Sequence, residues 1–339
     1  MKMPPSNNMG AQVTSAPVAP EKNQVLIDWL TFSVKENDPD KVLQLVGLDD
    51  LPFGASGSGG MGYKSSRRAG NIAIYFDGNV DMGCCVVISG KGCREFEQYR
   101  RKDHCWYSYL HHLRSVKVQF TRIDIALDNI DGTLDLSAIR DSLDNCEYRS
   151  RFKTWSEHVS GKLNRQSAQK LGRTIYLGSP QSRLKVRFYD KAAQLGIEST
   201  WNRAELQLMA ERATEAIEYM LKGVELGDLA ASVLNQYFQP VNLDDVNISR
   251  CSVKSWWEKW LETLSKLRLA VKPSEKYIPH VCSYLKRQYS ATFAMLREYY
   301  NKSDFNQFIQ DLVFEGKDKL TLKHKLIIQR SRFSCEVPF

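Results

Sequence analysis

The sequence predicts an α+β protein in which an antiparallel sheet is followed by helices. Three stretches alternate apolar and polar residues, the period of a strand with one buried face: 120–128, 184–191 and 203–208. After Pro240 three stretches have helical spacing and no strand pattern follows: 252–269, 275–300 and 304–314. Strands followed by a run of helices are typical of the α+β class.

The remaining elements follow from the same periodicities and from turn residues. Strands are predicted over 25–34, 71–76, 83–88 and 173–177. The second and third of these strands pair around an Asp77-Gly78 turn. Helices are predicted over 39–46, 93–113, 134–143, 211–221 and 228–237. The glycine-rich stretch 53–62 lacks the GK[ST] ending of a phosphate-binding loop, so we expect a hairpin connection there.

Composition divides the chain into three parts. Residues 1–22 are rich in Pro, Ser, Asn and Ala, which predicts a disordered tail. The sheet region is expected over 23–245 and a helical domain over 250–339. The tail lacks the apolar core of a signal peptide, and no run approaches the roughly 20 apolar residues that span a membrane. We therefore expect a cytoplasmic protein that does not enter a membrane.

The eight cysteines show neither CxxC spacing nor pairing with histidine at zinc-finger intervals. This pattern predicts neither a zinc module nor a disulfide framework. It is typical of buried or free thiols in a reducing cytoplasm.

Positive charge is concentrated in one segment of the chain. The formal charge is +8, and residues 147–191 contain eleven Lys or Arg against three Asp or Glu, which accounts for the whole excess. A basic segment beside polar strand faces suggests a polyanionic partner such as DNA. A solvated loop explains any single charge run equally well.

The polar faces of the three alternating stretches carry the chemistry. They present Arg122, Asp124 and Asp128, then Lys185, Arg187, Tyr189 and Lys191, then Arg203, Glu205 and Gln207. If the three strands share a sheet, these faces form one site. That set of residue types suits a metal-assisted, tyrosine-based DNA nickase, because carboxylates hold hard cations and a tyrosine hydroxyl can act as a nucleophile.

Five ordered motifs add a family resemblance. They are SGKGCREFE at 89–97, TRIDIALD at 121–128, RTIYLGS at 173–179, RFYDK at 187–191 and RAEL at 203–206. Together they resemble the replication initiation factor family of rolling-circle plasmids and filamentous phages, over about residues 25–220. The helical C-terminal part carries no such motif.

The resemblance implies an activity and a fold. Such a protein recognises a replication origin and cuts one DNA strand. It stays joined to the 5′ phosphate through a tyrosine and leaves a 3′ hydroxyl that primes synthesis. The expected fold is the ferredoxin-like antiparallel sheet of rolling-circle initiators. Relaxases of conjugative elements share these motifs, so transfer is an alternative to replication. A host helicase, the replication machinery and a second copy of the chain are expected partners.

The resemblance also assigns roles to residues. The nucleophile would be Tyr189, with Lys191 and Arg187 beside it and Tyr176 as its substitute. The sequence lacks the His-hydrophobe-His pair of many other initiators, so carboxylates would hold Mg²⁺ or Mn²⁺. The expected metal ligands are Asp124 and Glu205. Asp128 is a further candidate: it could lie behind the ligands, form a turn before Asn129, or be brought to the ion by a bulge. Asp124 and Asp128 lie about 13 Å apart on a regular strand, so both cannot easily bind one ion. Alternatively, Arg122 and Arg203 simply pair with these carboxylates.

Basic residues are the candidates for contacts with DNA. Lys185 and Arg187 would hold phosphate, and the backbone would be followed by Arg149, Arg151, Lys162, Arg165 and Lys170. Arg173 and Arg203 complete the set. Trp256, Trp257 and Trp260 are spaced with Leu264 and Leu267 as a buried helix stripe, which we favour over base stacking.

Two other functions compete with the nickase. A tyrosine recombinase is suggested by the His111–Arg114 match to HxxR with Tyr148 downstream, but strands follow directly where that fold is helical. A control protein that binds DNA without cutting it is the alternative from another class. Tyr189, Asp124 and Glu205 all stand at their motif positions, which argues against it.

Overall fold

The computed structural model describes residues 19–56, 58–79, 81–99, 105–162, 169–267 and 278–321, together with 324, 325 and 328. The strands are β1 (Gln24–Val34), β2 (Gly54–Ser56), β3 (Ser65–Ala69), β4 (Ile72–Phe76), β5 (Cys84–Ile88), β6 (Gln119–Asn129), β7 (Tyr148–Ser150), β8 (Trp155–Lys162), β9 (Gln169–Leu177), β10 (Leu184–Asp190), β11 (Asn202–Met209) and β12 (Phe238–Pro240). The helices are α1 (Pro39–Leu45), α2 (Gly90–Tyr99), α3 (Trp106–Ser115), α4 (Leu136–Asp144), α5 (Lys191–Leu195), α6 (Glu211–Leu221), α7 (Leu226–Tyr237), α8 (Ser255–Ser265), α9 (Ile278–Tyr299) and α10 (Lys302–Lys317). A large antiparallel sheet with helices confirms the α+β prediction.

The predicted helix over 93–113 is wrong in its extent. Two helices occupy this part of the chain, since α2 ends at Tyr99 and α3 begins at Trp106. Helix α2 also starts earlier than predicted, because the Cys93 amide bonds the Ser89 carbonyl at 2.6 Å and closes a first turn. The aromatic spacing that suggested one helix is satisfied by rings from both, as Phe96 of α2 and Tyr109 of α3 lie 4.5 Å apart between centroids.

Three strands of the large sheet were missed: β2, β3 and β8. Strand β8 lies within the basic segment that the sequence left as a loop or a DNA contact. Its alternation sets serine and histidine against Trp155, Glu157 and Val159, so neither face is uniformly apolar. Pairing with β9, from Trp155↔Leu177 to Lys162↔Gln169, forms the strand without the help of a hydrophobic stripe.

The chain divides into two compact units that alternate along the sequence. The first unit takes Met1–Val25, Ala126–Leu206 and Ala230–Arg268, and the second takes Leu26–Ile125, Gln207–Leu229 and Leu269–Phe339. Helix α8 belongs to the first unit, and the predicted domain boundary between 245 and 250 stays a prediction. The rings of Trp257 and Trp260 each lie 6.2 Å from the ring of Phe188 on β10.

The strands of the second unit pair in the order β2-β3-β4-β5-β1-β6. Apolar side chains of β1, β4 and β5 are buried on one face, among them Phe32, Ile72 and Ile88. Helix α2 contacts β4 and β5 and contributes Phe96 to this core. The first strands of the chain therefore form their own packed layer.

The strands of the first unit pair in the order β6-β11-β10-β9-β8. Strand β10 pairs antiparallel with β9 in the register Phe188↔Ile175 and Tyr189↔Thr174. Because neighbours in register share a face, Ile175 and Phe188 lie on the apolar face and Tyr189 lies on the other. The small sheet β12-β7 belongs to the same unit.

Two neighbouring cysteines of β5 lie in the core. The described cysteines are all free, and burial raises the pKa of Cys84 to about 12 and that of Cys85 to about 11. Thiols with such pKa values are unreactive at neutral pH. Within the described part of the chain, no helix combines the length and the apolar character that crossing a bilayer requires.

Candidate functional site

Three neighbouring strands of the first unit bring the predicted polar faces together. Strand β11 lies between β6 and β10 in the sheet order, so the three strands share one sheet as predicted. In this unit the shared face carries Asp128 on β6, Arg203 and Glu205 on β11, and Arg187 and Tyr189 on β10. The side chains of this face form two clusters, one around Glu205 and one around Asp128.

The Glu205 cluster joins the candidate nucleophile to a buried carboxylate. Tyr189 is 6% exposed and Glu205 is 2% exposed. The Tyr189 hydroxyl donates a hydrogen bond to Oε2 of Glu205 at 3.2 Å. The Arg187 guanidinium donates to Oε1 of the same carboxylate and keeps 43% of its own side chain exposed. The carboxylate is therefore placed to accept the phenolic proton, and the arginine to balance its charge.

Two cations flank the ring of Tyr189. The Lys191 Nζ lies 5.5 Å from the ring centroid and the Arg187 Cζ lies 5.7 Å from it. Lys191 is the first residue of α5, whose start is fixed by the Asp190 carboxylate accepting from the Ala193 amide at 2.8 Å. The RFYDK motif thus forms the end of a strand and the start of a helix, with its cations on either side of the tyrosine.

The Asp128 cluster is a buried ion pair with full hydrogen bonding. Arg203 donates to both Asp128 oxygens, at 2.6 and 3.0 Å, Trp201 donates to Oδ1 at 2.7 Å, and Gln24 donates to Oδ2 at 2.6 Å. Burial raises the pKa of Asp128, but Arg203 and the hydrogen bonds outweigh it and hold that pKa below its ordinary value. The sequence pattern gave no sign of the roles of Gln24 and Trp201, because their partner is distant along the chain.

A similar pair lies in the second unit. Arg122 donates to both oxygens of Asp124, at 2.8 and 2.6 Å, and Asp124 is 1% exposed. The guanidinium carbon also lies 4.1 Å from the ring centroid of Trp29, within the range of a cation–π contact. The alternative in which the arginines pair with the carboxylates therefore describes both Asp124 and Asp128.

These contacts do not fit a resident metal ion. Asp124, Asp128 and Glu205 each accept hydrogen bonds on both oxygens and each pairs with an arginine, which already neutralises the carboxylate. Among the residues that the structure describes, no group of three His, Cys, Asp or Glu side chains could hold a metal. Mg²⁺ or Mn²⁺ held by carboxylates therefore stays a prediction.

The predicted DNA contacts have different surroundings. Lys185 lies on the same face of β10 as Tyr189, and its Nζ donates to the Pro180 carbonyl at 3.3 Å. Arg173 lies on the opposite face of β9 and pairs with Glu157 at 2.8 Å, and Arg203 is held in its buried ion pair. In these positions neither Arg173 nor Arg203 contacts a DNA backbone that lies over Tyr189.

The remaining basic candidates lie around the small sheet and at the β8–β9 connection. Arg149 donates to the Ser249 carbonyl at 2.8 Å, and the Arg151 Cζ lies 5.6 Å from the Tyr237 ring centroid. Lys162 ends β8 and Lys170 is the second residue of β9. Arg165 lies outside the described residues. Contacts of these residues with DNA stay a prediction.

The HxxR match has a packing role. Arg114 pairs with Glu218 at 2.5 Å, which joins α3 to α6 inside the second unit. The neighbouring His112 has its Nε2 2.9 Å from the Leu45 carbonyl. These contacts account for the arginine of the match without a recombinase site.

The SGKGCREFE motif also has a structural role, which the sequence did not reveal. The Glu95 carboxylate accepts from the Asn71 amide at 2.7 Å and from its side-chain nitrogen at 2.8 Å. A Cβ at Gly92 would lie 2.5 Å from the Asn71 carbonyl oxygen, so only glycine allows α2 to approach this turn. Arg94 donates to the Ile27 carbonyl at 2.5 Å. The motif holds α2 against β1 and the β3–β4 turn.

Comparison with known proteins identifies relatives along almost the whole chain. The family model described as replication initiation factor matches residues 118–313, and the N-terminal domain model of rolling circle replication initiation proteins matches residues 24–112. A putative DNA relaxase, NicK, of Bacillus subtilis (strain 168) is 27% identical over 345 residues, covering 95% of this chain and 96% of that protein. The solved structure of a rolling circle replication initiator protein from Geobacillus stearothermophilus is 30% identical, with a TM-score of 0.66, and the match covers 74% of this chain and 99% of that one.

Proposed function

This chain belongs to the replication initiation factor family, and on that basis we propose that it cuts one DNA strand with Tyr189 as the nucleophile. The observation that carries the proposal is the hydrogen bond from the Tyr189 hydroxyl to Glu205, with Arg187 and Lys191 beside the ring. A free tyrosine hydroxyl has a pKa near 10 and is a weak nucleophile. A carboxylate acceptor and two cations are the groups that activate it.

The proposed reaction is a transesterification. The Tyr189 oxygen attacks the scissile phosphorus and a new O–P bond forms. The bond from phosphorus to the 3′ oxygen breaks. The phenolic proton passes to Oε2 of Glu205, 3.2 Å from the hydroxyl, and the leaving 3′ oxygen takes a proton from water. The hydroxide that remains is neutralised when Glu205 releases its proton to the solvent. The products are a 5′-phosphotyrosine link and a free 3′ hydroxyl, and the reverse reaction rejoins or transfers the strand.

The cations beside the tyrosine have a second use in this proposal. The scissile phosphate is an anion, and charge on its oxygens must be balanced as the new bond forms. Arg187 is partly exposed and can meet that phosphate while it still contacts Glu205. Lys191, 5.5 Å from the ring centroid, supplies a further positive charge.

Replication and conjugative transfer both use this chemistry, and the relatives include one of each kind by their names. The Bacillus relative is called a putative relaxase and the Geobacillus structure a replication initiator. We favour the initiator, since both matching family models are described as replication initiation proteins. Origin recognition, a host helicase partner, a homodimer, a plasmid or phage origin and a cytoplasmic location are further parts of the proposal.

The test is cleavage of supercoiled plasmid that carries the protein's own gene. We expect the native protein to give open circles that carry protein on the 5′ end. Tyr189→Phe should give none while DNA binding is nearly unchanged, because the variant loses only the hydroxyl. Tyr219→Phe, at a tyrosine that is 52% exposed on α6, is the matched control and should cut normally. Full cleavage by Tyr189→Phe would overturn the assignment of the nucleophile, and Tyr176→Phe would then be tested in the same assay.

The same assay tests the proton acceptor. Glu205→Gln keeps the shape of the side chain but removes most of its basicity, so cleavage should slow by roughly 10²–10⁴-fold, the usual contribution of general base catalysis. Raising the pH should restore part of the rate, because the tyrosine then ionises unaided. An unchanged rate in Glu205→Gln would remove Glu205 from the mechanism.

Chelation tests the metal prediction in parallel. If cleavage in EDTA equals cleavage in Mg²⁺, the arginine-paired carboxylates function without a metal. If EDTA abolishes cleavage and Mg²⁺ restores it, the metal prediction is correct and at least one carboxylate exchanges its arginine for the ion. DNA that is bound but never cut under either condition would favour the non-catalytic control protein.

A further inference from the structure

One face of the outer strands β8, β9 and β10 is exposed next to Tyr189. The registers give two rows across this face. Ser156 opposes Tyr176, which opposes Arg187, and His158 opposes Thr174, which opposes Tyr189. On β8 the residues of this face are exposed, and on β9 they are half-buried. We name Ser156, His158, Ser160, Thr174 and Tyr176 the outer polar face.

The outer polar face contains two rings in contact. The rings of His158 and Tyr176 meet edge to face, with centroids 5.3 Å apart and planes at 86°. Tyr176 is the direct cross-strand neighbour of Arg187, which itself lies beside the Tyr189 ring. A partly exposed aromatic surface thus begins one strand away from the candidate nucleophile.

The charge of this face is complementary to a polyanion. Its charged neighbours on β10 are Lys185 and Arg187, both partly exposed. Among the described residues of β8, β9 and β10, the acidic side chains belong to Glu157, which opposes the apolar Ile175, and to Asp190, which caps α5. No carboxylate of these strands therefore points from this face towards a bound phosphate.

The opposite face of the same strands is already used for packing. Ile175, Leu177, Val186 and Phe188 are buried there, and α8 packs its tryptophans against Phe188. The outer polar face is therefore the one open to a ligand next to Tyr189, since the opposite face is closed by packing at Ile175 and Phe188. A ligand lying across it would run from β10 towards β8.

We propose that the outer polar face binds the unpaired DNA strand next to the scissile phosphate, with a base stacked on Tyr176 and phosphates near Arg187 and Lys185. This rests on the proposed function, since it places the strand that Tyr189 cuts. A single strand fits better than a duplex, because unpaired bases expose the ring faces that aromatic side chains stack upon. Tyr176 is then a positioning residue, in contrast to its predicted role as the substitute nucleophile.

The first test is the binding of fluorescein-labelled 20-nucleotide oligo(dT) to the full-length protein, followed by anisotropy. Tyr176→Ala should weaken binding about tenfold, the loss usual for one stacked base, and Tyr176→Phe should bind as the native protein does because the ring is kept. Val159→Ala is the matched control, since Val159 is 55% exposed on the other face of β8 and should not matter. His158→Ala, at an exposed position that tolerates substitution, should weaken binding in the same direction as Tyr176→Ala.

The second test locates the strand directly. Oligo(dT) containing 5-iododeoxyuridine is crosslinked by light to the full-length protein and the adducts are mapped by mass spectrometry. Adducts at Tyr176 or His158 support the proposal, and adducts confined to other segments overturn it. Native affinity in both Tyr176→Ala and His158→Ala would also overturn it.

These binding measurements are independent of cleavage, so the two proposals can fail separately. If the outer polar face does not bind oligo(dT) but Tyr189→Phe still abolishes nicking, only this inference is lost. If oligo(dT) binding depends on Tyr176 but Tyr189→Phe still cuts, the nucleophile is wrong and the strand-binding face stands.

Discussion

Asp128 illustrates what burial does to a single carboxylate. Removed from water, an isolated charge is strongly destabilising, and burial alone raises its pKa. Arg203, Trp201 and Gln24 reverse that effect by donating hydrogen bonds to both oxygens. The same carboxylate was predicted as a metal ligand from its place in the motif. Its partners give it a structural role in which β6, β11 and the start of β1 are held together.

The Asp128 pair makes a prediction about stability. Asp128→Asn should lower the free energy of unfolding by about 3–5 kcal/mol, since it leaves Arg203 buried without its counter-charge. Because the folded-state pKa of Asp128 lies below its unfolded value, the pair stabilises the protein above about pH 4. That stabilisation is lost as pH falls through the folded-state pKa.

Urea unfolding at pH 7 and at acidic pH measures both effects. Asp49→Asn, at an exposed position, is the control and should change the free energy by less than about 0.5 kcal/mol. A similar small change in Asp128→Asn would show that the pair contributes no net stability.

At the scale of elements, strand alternation predicted which residues share a face. The period of two placed Arg187, Tyr189 and Lys185 on one side of β10, and the register with β9 agrees. Alternation failed for β8, because its polar residues occupy both faces and backbone pairing at Trp155↔Leu177 and beyond forms the strand. Periodicity thus predicts strands that have an apolar face. It misses strands such as β8, which form mainly through backbone pairing with a neighbouring strand.

Helix α8 supports the strand that carries Tyr189. Trp257 and Trp260 are fully buried and their rings approach Phe188, the residue before the candidate nucleophile. The predicted buried stripe of this helix is confirmed for Trp257, Trp260 and Leu264, whereas Trp256 and Leu267 are only partly buried. Base stacking by these two tryptophans is excluded by their burial.

The α8 packing predicts a strong contrast between adjacent tryptophans. Trp257→Ala should lower the free energy of unfolding by about 3–5 kcal/mol, because it leaves a large cavity against Phe188. Trp256→Ala, at a partly exposed neighbour, should cost about 1 kcal/mol or less. Urea unfolding at neutral pH compares them, and equal losses would contradict the packing described.

For the whole molecule, the uneven charge makes a prediction about salt. Each cation that contacts a phosphate of single-stranded DNA contributes about 0.7 to the slope of log affinity against log salt. Lys185→Gln should therefore reduce that slope by about 0.7 for oligo(dT), since Lys185 lies on the same face as Tyr189. Anisotropy titrations from low to moderate salt measure the slope.

A matched control for the salt experiment lies in the second unit. Lys222→Gln, at an exposed lysine that follows α6, should leave the slope unchanged. Equal slopes for the native protein and Lys185→Gln would remove Lys185 from the path of the strand. In that case the basic residues of 147–191 would act within the protein, as Arg173 does in its ion pair with Glu157.

The sequence by itself determined the fold class, the family and the residues around Tyr189. Those features depend on local periodicity and on ordered motifs, and RFYDK places its tyrosine and both cations within five consecutive positions. Only the tertiary structure decided what each carboxylate meets. Asp128 takes its partners from 73, 75 and 104 residues away, and Glu205 meets Tyr189 across 16. Whether a carboxylate binds an arginine, a phenol or a metal depends on distances between strands, which no local pattern of residues contains.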